Sequence, residues 1–209
     1  MLVSLPMQDF FEQMSKQPPP GGGSAAAAAG LMGVSLVQMA VAISEKHLTG
    51  CKSGVSEEFT VELAAIHQSL LKLIDQDAKV LAEVLPIISA PCNSEVNDLE
   101  TYNNAVRLAI EVPLEIARCS QRVLEIGKTL LEHCVEHVIG DLTFGLLSCH
   151  NAVSGALLMV ALNLPLLHDQ EIISDIKRQV SSLKNHSENL ITEIKAVVYI
   201  KDTYTVLNN

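Results

Sequence analysis

Apolar residues recur along this chain at intervals of three and four and nowhere alternate with polar ones at an interval of two, a pattern that predicts helices throughout and no sheet. Phe10, Phe11 and Met14 place a short amphipathic helix within residues 4–17, which the triple proline Pro18-Pro19-Pro20 must end. After Gly21, Gly22 and Gly23, Ser24 is expected to cap a second helix reaching about Lys46. Its face of five alanines followed by Gly30 and Gly33 suits only very close helix contact. Ser56, with Glu57 and Glu58 behind it, marks a third helix start, and Val61, Ala65, Leu70, Leu73, Ile74, Leu81 and Val84 carry the apolar face to Pro86. Residues 86–98 read as a loop. Residues 102 to about 138 are predicted helical, with Pro113 kinking or dividing the helix. Asp141 is expected to cap a helix over 142–162, and Asp169 the last one. There Ile176, Val180, Leu183, Leu190, Ile194 and Val197 keep 4-3 spacing, broken only at Ser187, as in a seam for another helix.

No repeat or linker divides the 209 residues, so residues 1–209 are expected to form a single domain. Hydrophobic residues make up 48% of the chain but aromatic ones only 3%, which leaves Leu, Ile, Val, Ala and Met to build the core and favours an all-α bundle of long helices. Residues 24–44 and 142–167 carry no charge and are long enough to cross a bilayer of about 30 Å. The first is mostly Ala, Gly and Ser, the second holds His150, Asn151 and Asn163, and neither has a clustered Lys/Arg flank, so both are read as central bundle helices, with no membrane partner. A net charge of -10 without a basic run argues against nucleic acid and anionic membranes, while helix ends still allow small anionic ligands. Cys51, Cys92, Cys119, Cys134 and Cys149 are scattered, without a Cys-x-x-Cys pair or a signal-peptide pattern ahead of them, and are expected to be reduced thiols in the cytoplasm.

The candidate chemistry centres on the glycine turn. Three glycines let the backbone approach a ligand without Cβ interference, and the helix that follows aims free N–H groups and a partial positive charge at the same place. A sharp corner before a helix would have the same composition, so the turn alone leaves ligand binding open.

The longer string Pro20-Gly21-Gly22-Gly23-Ser24-Ala25-Ala26, followed by Met39-Ala40, resembles the opening of the formiminotransferase-cyclodeaminase family, in its cyclodeaminase and methenyltetrahydrofolate cyclohydrolase branch. Asp75-Gln76-Asp77-Ala78 is similar to the family's Asp-Ala-x-Ala-Phe helix, Val112-Pro113-Leu114 to its Val-Pro-Leu kink, Gly140-Asp141 to its Ser-Asp corner and Leu162-Asn163-Leu164 to its Ile-Asn-Leu segment, in family order over nearly the whole chain. The resemblance implies an all-α homodimer acting on a tetrahydrofolate derivative, with the site in a groove near the subunit interface and no cofactor beyond the folate. The reaction it implies is closure of 5-formiminotetrahydrofolate to 5,10-methenyltetrahydrofolate with release of ammonia; hydrolysis of the methenyl bridge and folate binding without catalysis are the alternatives.

By the same resemblance Asp77 is the acid/base. Gly21, Gly22, Gly23 and Ser24 hold the folate, joined by Asp141, Asn163 and Lys46. Helix-surface carboxylates, a helix-capping Asp141, a structural Asn163 and a helix-end Lys46 are the plainer readings. The family's serine before the aspartate is here Gly140, and its other polar or aromatic positions are Val135, Met159 and Leu81, which leaves open a slow enzyme, another folate derivative or no catalysis. His133-Cys134-Val135-Glu136-His137 also fits His-x-x-Glu-His, a zinc spacing when helical, but without a recognisable third ligand it is read as a helix-end feature. Cys149 and His150, as helix neighbours about 100° apart, are not expected to act as a pair.

Overall fold

The computed structural model describes residues 1–47, 57–89 and 99–200, and every regular element among them is helical. A 3-10 turn at Leu2–Ser4 leads into α1 (Met7–Lys16), α2 (Gly22–His47), α3 (Glu57–Ser89), α4 (Leu99–Leu130), α5 (Ile139–Asn163) and α6 (Gln170–Ile200), with 3-10 turns Glu136–Val138 and Leu164–Leu166 flanking α5. This is the all-α bundle that the spacing predicts.

The two uncharged stretches become α2 and α5, and they pack against each other more extensively than any other pair of elements. They run antiparallel: Gly22 lies against Met159 near the end of α5, and Gly33 against Cys149 nearer its start. A Cβ on Gly33 would sit 2.6 Å from the Gly145 carbonyl oxygen, and one on Gly145 would sit 2.9 Å from the Gly33 oxygen. The two backbones therefore touch, which is what the small-sided face of α2 is for. Segments Gly22–Lys46 and Glu136–Leu166 are each apolar and long enough to cross a bilayer, yet within this chain they form the centre of the bundle. α3 and α4 complete the core with Leu63, Leu70, Ile110, Ile116 and Leu124, all fully buried. α6 closes one side along its predicted seam: Ile176, Leu190 and Ile194 are buried, and the buried Ser187 satisfies its hydroxyl on the Lys184 carbonyl (3.0 Å). Asp169 caps α6 as expected, accepting from Glu171 N–H (2.9 Å) and Ile172 N–H (3.2 Å).

Several boundaries differ from the sequence expectation. α3 continues past Pro86 to Ser89; the bond that a proline denies to the carbonyl four residues back falls on exposed Ala82, where water can replace it. Ser56, Cys51, Cys92 and residues 90–98 of the expected loop lie outside the described residues. α4 passes Pro113 without a break but stops at Leu130, where His133 N–H bonds back to the Leu130 carbonyl (3.0 Å) and Val135 N–H turns to Ser44 Oγ (3.3 Å). α5 starts at Ile139, so Asp141 falls inside the first turn, exposed, and makes no capping bond.

Candidate active site at the start of α2

The Gly21 carbonyl accepts the Ala25 N–H (3.0 Å), so α2 opens at Gly22, two residues before the expected cap. Ser24 is therefore in the first turn, with its side chain buried and turned toward α3 rather than back on its own helix. Its hydroxyl lies 2.7 Å from Asp77 Oδ2 and 3.2 Å from the Ile74 carbonyl oxygen, and its backbone N–H also bonds the Asp77 carboxyl. Asp77, reaching across from α3, thus does for this helix start what a capping side chain does locally. Gly23 makes room for it: a Cβ there would lie 2.5 Å from Asp77 Cγ and closer still to Oδ1. The N–H groups of Gly22 and Gly23, at the first positions of the helix, have no partner within it.

Asp77 is only 9% exposed. Burial pushes its carboxyl above the ordinary carboxylate range, and the two bonds from Ser24 pull it only part of the way back. Ser24 has one hydroxyl proton and two acceptors within reach. With Asp77 neutral, the acid donates to Ser24 Oγ while Ser24 donates to Ile74; with Asp77 ionised, Ser24 donates to the carboxylate. The same atoms accommodate both charge states without rearrangement. Asp75 faces elsewhere, accepting the Leu2 N–H of the first 3-10 turn, in keeping with its place on a different side of the helix.

In front of Asp77 lies a cavity of about 510 Å³. Gly21, Gly22, Gly23, Asp77 and Asn163 all line it, so the structure brings five of the expected site residues together, with Ser24 directly behind. Lys46 and Asp141 are not among its walls. Lys46 is 24 residues along α2 from Gly22, about 36 Å at the helical rise, and Asp141 is similarly far along α5 from Asn163. Within one chain neither can touch what Asp77 touches. Of the family positions that this sequence changes, two are at the cavity: a Cβ on Gly21 would meet Leu81 Cδ2 at 2.8 Å, and one on Gly22 would meet Met159 Sδ at 2.8 Å. Val135 and Gly140 lie at the far end of the bundle, with Val135 beside Ser44 and Gly140 exposed.

The apolar half of the cavity, Met14 from α1, the buried Pro20, Pro113 from α4 and Leu162 from α5, was not among the expected site residues. Neither was the partner of Asn163, whose Nδ2 donates to the Ala109 carbonyl (2.8 Å). A larger groove of about 680 Å³ runs between α3, α4 and α6, but its two arginines are already paired, Arg107 with Glu111 (2.6 Å) and Arg118 with Glu115 (3.2 Å), and no expected site residue lines it. The His133 to His137 pattern falls on a turn and a 3-10 segment instead of an α-helix, so the spacing that would align two imidazoles is lost. Among the described residues no three His, Cys, Asp or Glu side chains converge as a metal site would need.

Residues 6–182 match the family model of formiminotransferase-cyclodeaminase. No curated protein sequence matches the chain. In fold the chain is similar to the crystal structure of formiminotetrahydrofolate cyclodeaminase from Thermotoga maritima, with a TM-score of 0.80 over 94% of this chain and 97% of that one, at 18% sequence identity.

Proposed function

Since the chain belongs to the formiminotransferase-cyclodeaminase family, we propose that it closes 5-formiminotetrahydrofolate to 5,10-methenyltetrahydrofolate and releases ammonia. The observation that carries this reading is a buried Asp77, its ionisation pushed upward by burial, in the same cavity as the first-turn N–H groups of Gly22 and Gly23. In the reaction the N10 amine attacks the formimino carbon and forms the new C–N bond. The formimino nitrogen must then gain two protons to leave as ammonia. One is the proton that N10 gives up and the other comes from solution. A single carboxyl that alternates between base and acid can carry both. Asp77 is suited to that role because burial holds its ionisation above the usual range and Ser24 supports either charge state. Gly21, Gly22 and Gly23 would then offer N–H groups to the folate, and Asn163 a polar contact from the opposite wall.

The expected result is a methenyl chromophore that grows from 5-formiminotetrahydrofolate in proportion to protein concentration. Leu81 and Met159, packed over Gly21 and Gly22, favour one competing outcome: saturable folate binding with no turnover of either the formimino or the methenyl compound, which would make the chain a non-catalytic binder. Loss of the methenyl signal without activity on the formimino compound would instead identify the cyclohydrolase.

A soluble, cytoplasmic homodimer completes the proposal. The five cysteines are scattered without a Cys-x-x-Cys pair, the usage of reduced thiols in a reducing compartment. α2 and α5 are the most apolar helices of the chain, yet they leave Met32, Met39, Phe144, Leu158 and Leu162 exposed. Met32 and Met39 are seven residues apart and Phe144 and Leu158 fourteen, so each pair shares a helix face that a second copy can cover. Sedimentation equilibrium is expected to return twice the chain mass. A monomer at micromolar concentration would remove the dimer.

A further inference from the structure

Pro113 has no N–H, so the Ala109 carbonyl, four residues earlier in α4, loses its helical donor. Asn163 supplies the replacement from the end of α5 through Nδ2, at 2.8 Å. Only the amide nitrogen of an asparagine can donate to a carbonyl, so this bond fixes which way the side chain faces. The amide cannot flip without setting two oxygens against each other. Asn163 is half-buried and lines the cavity, and its Oδ1 accepts no hydrogen bond from the described residues. Pro113 lines the same cavity, and a second contact, Tyr102 Oη donating to the Leu166 carbonyl (3.3 Å), ties α4 to the segment just after Asn163.

We infer that Asn163 is a specificity-determining residue held in one orientation by Pro113: its Oδ1 is a fixed acceptor that selects the N–H-bearing edge of a lactam or amidine ring. The cavity is then two-sided, with backbone donors of the glycine turn on one wall and a committed acceptor on the other. A ring that carries a carbonyl or anion on one edge and N–H groups on another satisfies both. The pterin end of a folate is such a ring, so the inference rests on the proposed function and assigns this part of the cavity to that end of the substrate.

Replacing Asn163 alone would confuse ligand binding with the loss of a helix contact. The Pro113→Ala variant separates them, because residue 113 then has its own N–H for the Ala109 carbonyl. The measurement is the dissociation constant for 5-formyltetrahydrofolate, with a thermal melt of each variant. In the Pro113→Ala background, Asn163→Ala is expected to weaken binding about ten-fold, the worth of one hydrogen bond to a neutral partner, with no further loss of melting temperature. Asn163→Asp, which keeps an acceptor oxygen, is expected to retain the affinity of its parent. Equal affinities of Pro113→Ala and Pro113→Ala/Asn163→Ala would make Asn163 purely structural and overturn the inference with the folate reading intact. Absence of binding by the wild-type chain would overturn both.

Discussion

Asp77→Asn is expected to lower turnover of 5-formiminotetrahydrofolate by roughly 10²–10⁴-fold, the usual contribution of a positioned acid/base, while leaving the bundle folded. The amide has the size of the carboxyl, can still accept the Ser24 N–H and can donate to Ser24 Oγ, so the contacts at the start of α2 survive. What it cannot do is exchange a proton. Stability supplies a second and independent readout. A carboxyl raised in the folded state above its unfolded value contributes stability that is fully present below the unfolded pKa and is lost as pH rises through the folded one. Burial raises Asp77 in this way, so the wild-type chain carries a cost at neutral pH that the asparagine does not. The variant is therefore expected to melt at or above the wild-type temperature at neutral pH, with the gap closing in acid. Unchanged turnover would remove Asp77 from the mechanism, and a melting difference independent of pH would remove its raised ionisation.

The helices were legible because each has its own periodic apolar face; the seam of α6 follows from its 4-3 spacing and the Gly33 contact from side-chain size. Boundaries were less legible, because they depend on partners distant in sequence. Ser24 carries a capping residue's chemistry, but its hydroxyl finds Asp77, 53 positions away, and the helix begins at Gly22, ahead of the expected cap. Pro113 reads as a helix breaker until Asn163, 54 positions from Ala109, is found on the carbonyl that the proline leaves bare. The candidate site divides in the same way. The residues near the proline–glycine turn and Asp77 converge, since one helix start and one facing helix hold them. Lys46 and Asp141 do not, because sequence order says nothing about which end of a helix faces the cavity. Met14, Pro20 and Leu162 mark a helix face and family-like segments in the sequence, but nothing there shows them as cavity wall: an apolar cavity wall and an apolar core have the same composition.

Gly23→Ala is expected to cost about 100-fold in turnover without removing any reacting group, because it moves the carboxyl instead of deleting it. The Gly23 backbone is helical, so the glycine is there for space and not for an unusual φ. An added Cβ occupies the volume of the Asp77 carboxyl, which must rotate off the Ser24 N–H and hydroxyl to escape. Two consequences distinguish this from general damage. The loss should not multiply with that of Asp77→Asn: once the proton carrier is gone its position no longer matters, and the double variant is expected to turn over no more slowly than Asp77→Asn alone. The effect on stability should also change sign with background. Beside the native carboxyl the alanine is overpacked and destabilising. In an Asp77→Ala chain the space is vacant, and alanine's better helix propensity is expected to stabilise by up to about 1 kcal/mol in a denaturant titration. A Gly23→Ala change that destabilises equally in both backgrounds would mean that the glycine serves the backbone of the turn, and that the placement of Asp77 owes nothing to it.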